Sequence, residues 1–282
     1  MEKIGLILDT TTYTREDIKN IDFIKTASLT VTVDGVDYSE SELSLDQMSH
    51  FLHAAKKLTT SQPAPGVFLN LYQEFYNEGY THVLVITLSD KLSGTFQSAL
   101  IAKTMIDFDL DISVHSPQVA SFGVALGIPP LIEMIQNGET FENIVKREKV
   151  LYENAVVMFT LQDLMHLFRG GRLSKVSAFI GTVLRIKPII EMIDGRLNLT
   201  RKERTNIACF DYFMDRVDEY SKKYKNIYVD FIQMNRIEWE LKFIEVMKVK
   251  YPNIKTHISK YVTPVFSVHL GEQGFGIAIV AE

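Results

Sequence analysis

A chain of 282 residues with 46% hydrophobic and 23% charged residues can bury a large core, and it exceeds the usual size of a single domain. No apolar run reaches bilayer-spanning length, and Met1-Glu2-Lys3-Ile4-Gly5 leads straight into a strand pattern without a signal peptide, so a cytoplasmic location is expected. One cysteine, Cys209, excludes an internal disulfide and a cysteine-based metal cluster; beside Ala208 and Phe210 in a helical pattern it reads as a small core residue.

Ile4 to Leu8 reads as a buried strand that ends in the polar turn Asp9-Thr10-Thr11-Thr12. Thr26 to Val33 alternates apolar and polar residues, and Asp34-Gly35 marks a hairpin returning through Val36 to Tyr38. Ser44 with Gln47 forms a capping box for a helix reaching about Lys57. In Thr59-Thr60-Ser61-Gln62-Pro63-Ala64-Pro65-Gly66 the prolines and glycine predict a loop with three consecutive hydroxyls, before a helix over Val67 to Asn77 that Gly79 closes.

His82 to Thr87 then reads as a parallel strand and Ala99 to Phe108 as a helix, which puts Leu92-Ser93-Gly94-Thr95 at a strand-to-helix turn. In an open α/β sheet this is the edge where ligands bind. Unpartnered helix-start N–H groups and the hydroxyls of Ser93 and Thr95 make an anion site there, and the same residues also suit a plain serine N-cap. Ile112 to His115 is a further strand ending in Ser116-Pro117-Gln118, and helical patterns cover Ala120 to Gln136 and Phe141 to Glu153. The recurrent strand, turn and helix predict a parallel-sheet α/β/α domain over residues 1–155. Neither a Gly-x-Gly-x-x-Gly nor a Walker pattern occurs in it.

Residues 156–282 are predicted to form a second, α+β domain. Strand Val156 to Phe159 and helix Gln162 to Phe168 lead to Arg169-Gly170-Gly171-Arg172, whose glycines allow a tight turn that holds Arg172 outward, and Ser174 caps a helix to about Leu184. Ile189 to Ile193 and Leu197 to Leu199 flank the hairpin Asp194-Gly195; helix Thr205 to Tyr224, strand Ile227 to Met234, helix Trp239 to Lys250 and strand Lys255 to Ser259 follow. Val265 to His269 and Ile277 to Ala281 read as strands around a glycine-rich turn, with His269 at its mouth. Residues 1–155 carry 11 Lys and Arg against 21 Asp and Glu, and residues 156–282 carry 19 against 14, with the basic residues densest from Arg169 to Arg204. That cluster suits phosphates, an acidic protein face or plain solvent; the acidic whole and the lack of interleaved aromatics argue against nucleic acid.

Four stretches, Thr60-Ser61-Gln62-Pro63, Leu92-Ser93-Gly94-Thr95-Phe96-Gln97, Gly170-Gly171-Arg172-Leu173-Ser174 with Ile186-Lys187-Pro188, and His269-Leu270-Gly271 with Gly276, occur in an order that resembles the DegV family. Its members include the FakB fatty-acid-binding subunits of bacterial fatty acid kinase. The resemblance covers essentially the whole chain and implies two α/β domains with an acyl chain buried between them. It implies that Thr60 with Ser61, Ser93, the N–H of Gly94 and His269 hold the carboxylate, and that Arg172 and Arg204 serve kinase docking or phosphoryl transfer. The implied partners are a long-chain fatty acid and a separate kinase, with transient membrane contact; no metal or cofactor is implied. Two positions depart from the family pattern: His115 precedes Ser116 where Asp is common, and Gln273 stands where Gly is usual.

The chemistry is consistent with such a carrier. Burying fifteen or so methylenes yields roughly 12 kcal/mol gross, while a buried carboxylate needs donors to replace its water. Two other classes fit the same residues. An acyl esterase or thioesterase would use Ser93 as nucleophile and His269 as base, although Lys91 stands where a nucleophile elbow has Gly, and Glu272 is the only nearby candidate to orient His269. A phospho-sugar-binding regulatory module would use the anion site alone.

Overall fold

The computed structural model describes residues 2–12, 18, 20–173, 186–259 and 262–282. Strands β1 (Ile4–Asp9), β2 (Ile24–Ala27), β6 (His82–Ile86) and β7 (Asp111–His115) form a parallel sheet in the order β2-β1-β6-β7. β1 is buried along its whole length, as expected of a strand covered on both faces. Helices α2 (Pro65–Asn77) and α3 (Thr95–Lys103) cover one face, where Phe68, Tyr72 and Phe75 meet Ile7, Val83 and Val85. On the other face Leu6, Leu8, Leu84 and Ile86 share a core with helices α4 (Phe122–Ala125), α5 (Ile128–Gln136) and α6 (Phe141–Glu153).

That core continues into a second sheet, so α4 to α6 form a layer common to both. The second sheet runs β10 (Arg196–Glu203), β9 (Lys187–Ile193), β8 (Val156–Leu161), β13 (Gly274–Ala281), β11 (Ile227–Met234), β12 (Lys255–Ser259). It is antiparallel except for the parallel pair β11 and β12. Gly274 and Gly276 are required by close approach to β8: a Cβ would lie 2.4 Å from the Thr160 carbonyl oxygen and 2.3 Å from that of Met158. The outer face is packed by α8 (Asn206–Lys223) and α9 (Ile237–Lys250) through Phe210, Phe213, Phe243 and the stacked pair Trp239 and Phe275, 4.9 Å between centroids.

A small antiparallel sheet, in the order β4 (Val36–Ser39), β3 (Thr30–Val33), β5 (Leu58–Ser61), packs against α1 (Leu45–Ala54) and α10 (Pro264–Leu270). Val31, Val33, Met48, Val265 and Val268 form its core. A helix from near the C-terminus thus completes a layer begun near the N-terminus.

Several elements differ from the sequence expectation. Thr26 to Val33 is not one strand: it breaks at Ser28-Leu29, and its halves join different sheets. Thr59 to Ser61, expected as loop, is β5, because Thr is at home in strands and Thr60 pairs with Val31. Val265 to His269, expected as a strand, is helical, opened by Pro264 in its first turn and closed by Gly271 at φ 74°. Ala120 to Gln136 is broken by Ser121, held at φ 52°, and by Gly127. Helix α7 (Met165–Arg169) is shorter than expected, with Asp163 Oδ1 accepting from the Met165 N–H at 2.8 Å. The capping box of Ser44 and Gln47 is present, as are the two hairpins, with Asp34 at φ 49° and Gly35 at φ 90°, and Asp194 at φ 49° and Gly195 at φ 74°. The helix expected from Ser174 to Leu184 lies outside the described residues.

Candidate functional site

The carboxyl edge of the parallel sheet is built around a buried carboxylate. Asp9 ends β1, is fully buried, and accepts from the Leu88 N–H at 2.6 Å, the Thr11 N–H at 3.0 Å and the Thr11 hydroxyl. Burial pushes its pKa up against these hydrogen bonds. Asp9 thereby ties the end of β1 to the loop after β6. Ser116 ties the same loop to β7, accepting from the Asp90 N–H at 2.7 Å and donating to the Leu88 carbonyl at 3.3 Å. Ser89 donates to the Gly195 carbonyl at 2.9 Å, joining the loop to the β9–β10 hairpin.

So anchored, the loop delivers Ser93 to the start of α3, where its hydroxyl pairs with that of Thr95 at 2.9 Å. Gly94 occupies the N-cap position, and a Cβ there would lie 2.4 Å from Gln62 Nε2. The glycine therefore lets the β5 loop close over the turn.

Thr60 on β5 faces His269 near the end of α10, with Oγ1 and Nε2 2.8 Å apart. His269 Nδ1 is buried without a hydrogen-bond partner among the described residues. Gly170 explains how the ring fits: a Cβ there would sit 2.2 Å from Nδ1. Burial, reinforced by electrostatic repulsion from the Arg172 guanidinium, lowers the His269 pKa to about 4, so the imidazole is neutral at neutral pH. Assigned from this network, the ring proton sits on Nε2 and bonds Thr60 Oγ1, which leaves the Thr60 hydroxyl proton able to turn toward a ligand.

These groups line one hollow of about 180 Å³. Its polar members are Thr60, Ser61, Gln62, Ser93, Arg172 and His269; its apolar wall comes from Leu29, Leu88, Leu92, Leu167, Leu197, Val265, Phe266 and Leu270. The walls come from β5, β10, α7, α10 and the loop that follows β6. Arg172 is exposed, its guanidinium held by donation from Nε to the Leu92 carbonyl at 3.3 Å and from Nη1 to the Gly170 carbonyl at 2.6 Å. The fold thus brings Thr60, Ser61, Ser93, Arg172 and His269 to one place, with Gly94 beside them. Arg204 stands apart: exposed, just beyond the end of β10 and roughly 20 Å along the strand from Leu197.

A hydrolase needs Ser93 bonded to His269 and a carboxylate on the other ring nitrogen. Ser93 bonds Thr95 instead, His269 bonds Thr60, and Glu272 pairs with His53 at 2.9 Å. Of the two departures from the family pattern, His115 makes contacts of its own, with Glu148 at 2.5 Å and Ser113 at 2.8 Å, while Gln273 keeps a backbone role, accepting from the Gln162 N–H at 3.0 Å. Cys209 is buried in the outer core. Among the described residues no group of three or more His, Cys, Asp or Glu is arranged for a metal ion, and no helix is long and apolar enough to cross a membrane.

Reasoning from the sequence did not find the roles of Gln62, Ser89, Asp9 and Gly170. Gln62 and Gly170 lie inside the quoted motifs, so their presence was visible and their contacts were not. Asp9 was visible as a carboxylate at a strand end, whereas nothing local showed that it would cap the loop of another strand.

Comparison with known proteins identifies the family and the fold. The DegV family model matches residues 3–282, and the chain belongs to the DegV family. Among relatives, lin2658 of Listeria innocua, a DegV domain-containing protein, is 32% identical over 281 residues, covering 98% of each chain. The structure of DegV from Bacillus subtilis, a fatty acid binding protein, matches at 30% identity with a TM-score of 0.87 over 100% of both chains. That of SAG1342 from Streptococcus agalactiae, a fatty acid binding DegV family protein, matches at 26% identity and a TM-score of 0.91, also over 100% of both.

Proposed function

We propose that this protein binds a long-chain fatty acid, with the carboxylate held by Thr60, Ser61, Ser93 and the Gly94 N–H, with His269 acting through the Thr60 hydroxyl that it orients, and with the tail against the apolar wall of the hollow. The observation that carries this reading is the convergence of Thr60, Ser93 and neutral His269 on one apolar-walled hollow. Each hydrogen bond to a carboxylate contributes about 1.5–3 kcal/mol, and the buried tail supplies about 0.8 kcal/mol per CH₂. These groups grip an anion and need break no bond. The fatty acid binding recorded for the Bacillus and Streptococcus relatives supports the same ligand class.

The finer part of the proposal is that the protein is the non-catalytic subunit of a fatty acid kinase system. It presents the carboxylate to a partner kinase, whose ATP supplies the phosphoryl group for the acyl phosphate. Arg172, exposed beside the hollow with its guanidinium fixed by two carbonyls, is suited to meet that partner, and Arg204 extends the docking face away from the hollow. We place the boundary between two lobes at residues 155 and 156, the protein in the cytoplasm, and its exchange of lipid at transient membrane contacts. Titration of delipidated protein with palmitate tests the ligand reading: saturable binding, weakened in Ser93→Ala and His269→Ala without unfolding, supports it, and unchanged binding in both variants removes the headgroup assignment.

A further inference from the structure

Helix α10 carries His269, yet its own sequence leaves its start uncapped. Thr263 at the N-cap position makes no side-chain capping bond, and Pro264 has no N–H to offer. The first free donor is the Val265 N–H, and it is met from a distant part of the chain: Glu40 Oε1 accepts it at 2.8 Å across 225 residues. The other oxygen of Glu40 accepts from the Thr10 hydroxyl at 2.5 Å, and Thr10 Oγ1 in turn accepts from the Leu29 N–H at 2.9 Å. Glu40 is 4% exposed and its own N–H donates to the Leu29 carbonyl at 2.8 Å.

We propose that Glu40 is a positioning residue for the headgroup site, a carboxylate that clamps the first turn of α10 to the ends of the parallel and three-stranded sheets and so sets where Phe266 and His269 stand. The helix is fixed at two points that belong to one unit: Glu40 follows β4, Thr60 lies on β5, and both strands flank β3. With seven residues, α10 has few bonds of its own to hold its axis, so a shift at Val265 is carried to His269 one turn on. Phe266, His269 and Leu270 all face the hollow, so the clamp governs the wall and the imidazole that orients the Thr60 hydroxyl together. Burial raises the Glu40 pKa, with a smaller contribution from Asp9, while hydrogen bonds from Thr10 and the Val265 N–H favour the charged form. A buried carboxylate with this cost persists where its geometry is needed.

The inference deepens the proposed fatty-acid reading, so its test has a lipid-free readout. Long-range ¹H–¹⁵N spectra of the His269 imidazole, recorded on delipidated protein, report the ring directly. Glu40→Ala is expected to move the His269 resonances and lower palmitate affinity about tenfold. Glu40→Gln, which keeps one acceptor for the Val265 N–H, is expected to restore most of both. If Glu40→Ala does not fold, Glu40→Asp keeps the charge but is a methylene too short to span Thr10 and Val265, and is expected to shift the same resonances with about a fivefold loss of affinity. Unchanged His269 resonances in a folded Ala or Asp variant would overturn the positioning role. Shifted resonances in a protein that takes up no palmitate at all would leave Glu40 in place and refute the ligand reading.

Discussion

The outer face of the six-stranded sheet and the seam beside the parallel sheet are chemically opposite. On the outer face Phe213, Phe231, Phe243 and Phe275 are at most 1% exposed and pack ring against ring. At the seam the chain buries Asp9 and Glu40, whose pKa values burial raises, and half-buries His269, whose pKa desolvation lowers. The first region is what packing alone selects. The second accepts desolvation costs that packing would avoid, and it is where hydroxyls, imidazole and hollow meet.

The sharpest way to separate the regions is to damage each in turn. Phe213→Ala, at the centre of the outer core, is expected to cost about 3–5 kcal/mol of stability, read by urea unfolding, with the hollow's residues untouched. Ser93→Ala or His269→Ala is expected to lower fatty acid affinity by about 10- to 100-fold while the unfolding midpoint stays close to that of the parent. Gly170→Ala tests the fit of the imidazole, since its methyl would enter the space of His269 Nδ1; about a tenfold loss of affinity in a folded protein is expected. Arg172→Ala is expected to leave affinity within about twofold and to impair acyl-phosphate formation with a cognate kinase, so full turnover in that variant would remove the docking role.

The smallest effect is a pH dependence. The folded pKa of His269 lies below its ordinary value of 6.5, so between 6.5 and about 4 the unfolded chain binds the extra proton, and stability falls as pH drops through that window. The raised pKa values of Asp9 and Glu40 act the other way: their contribution is present at low pH and is lost as pH rises through their folded values. An anion placed beside His269 raises its pKa, so its NMR titration midpoint, near 4 without lipid, is expected to move up when palmitate binds.

How much of this was legible in the sequence depended on how local the cause was. The Ser93 turn, the Ser44 capping box and the two Asp-Gly hairpins follow from residues a few positions apart, and all are present. Val265 to His269 reads as a strand, yet it is helical, since its first N–H is capped by Glu40 and Val265 and Val268 fill the core of the three-stranded sheet. Thr59 to Ser61 looks like a loop beside Pro63 and becomes an edge strand only because β3 offers it a partner. In the same way Thr60 and His269 were each visible as candidates, while their mutual hydrogen bond spans 209 residues and is a property of the fold alone.

The measurement that bears most directly on the headgroup site is a crystal structure of the protein saturated with palmitate. The expected density places the carboxylate within hydrogen-bonding distance of Thr60, Ser93 and the Gly94 N–H, with the tail running past Leu92, Leu167 and Phe266. Density for the acid elsewhere on the molecule, or a saturated crystal with none beside Ser93 and His269, would contradict it.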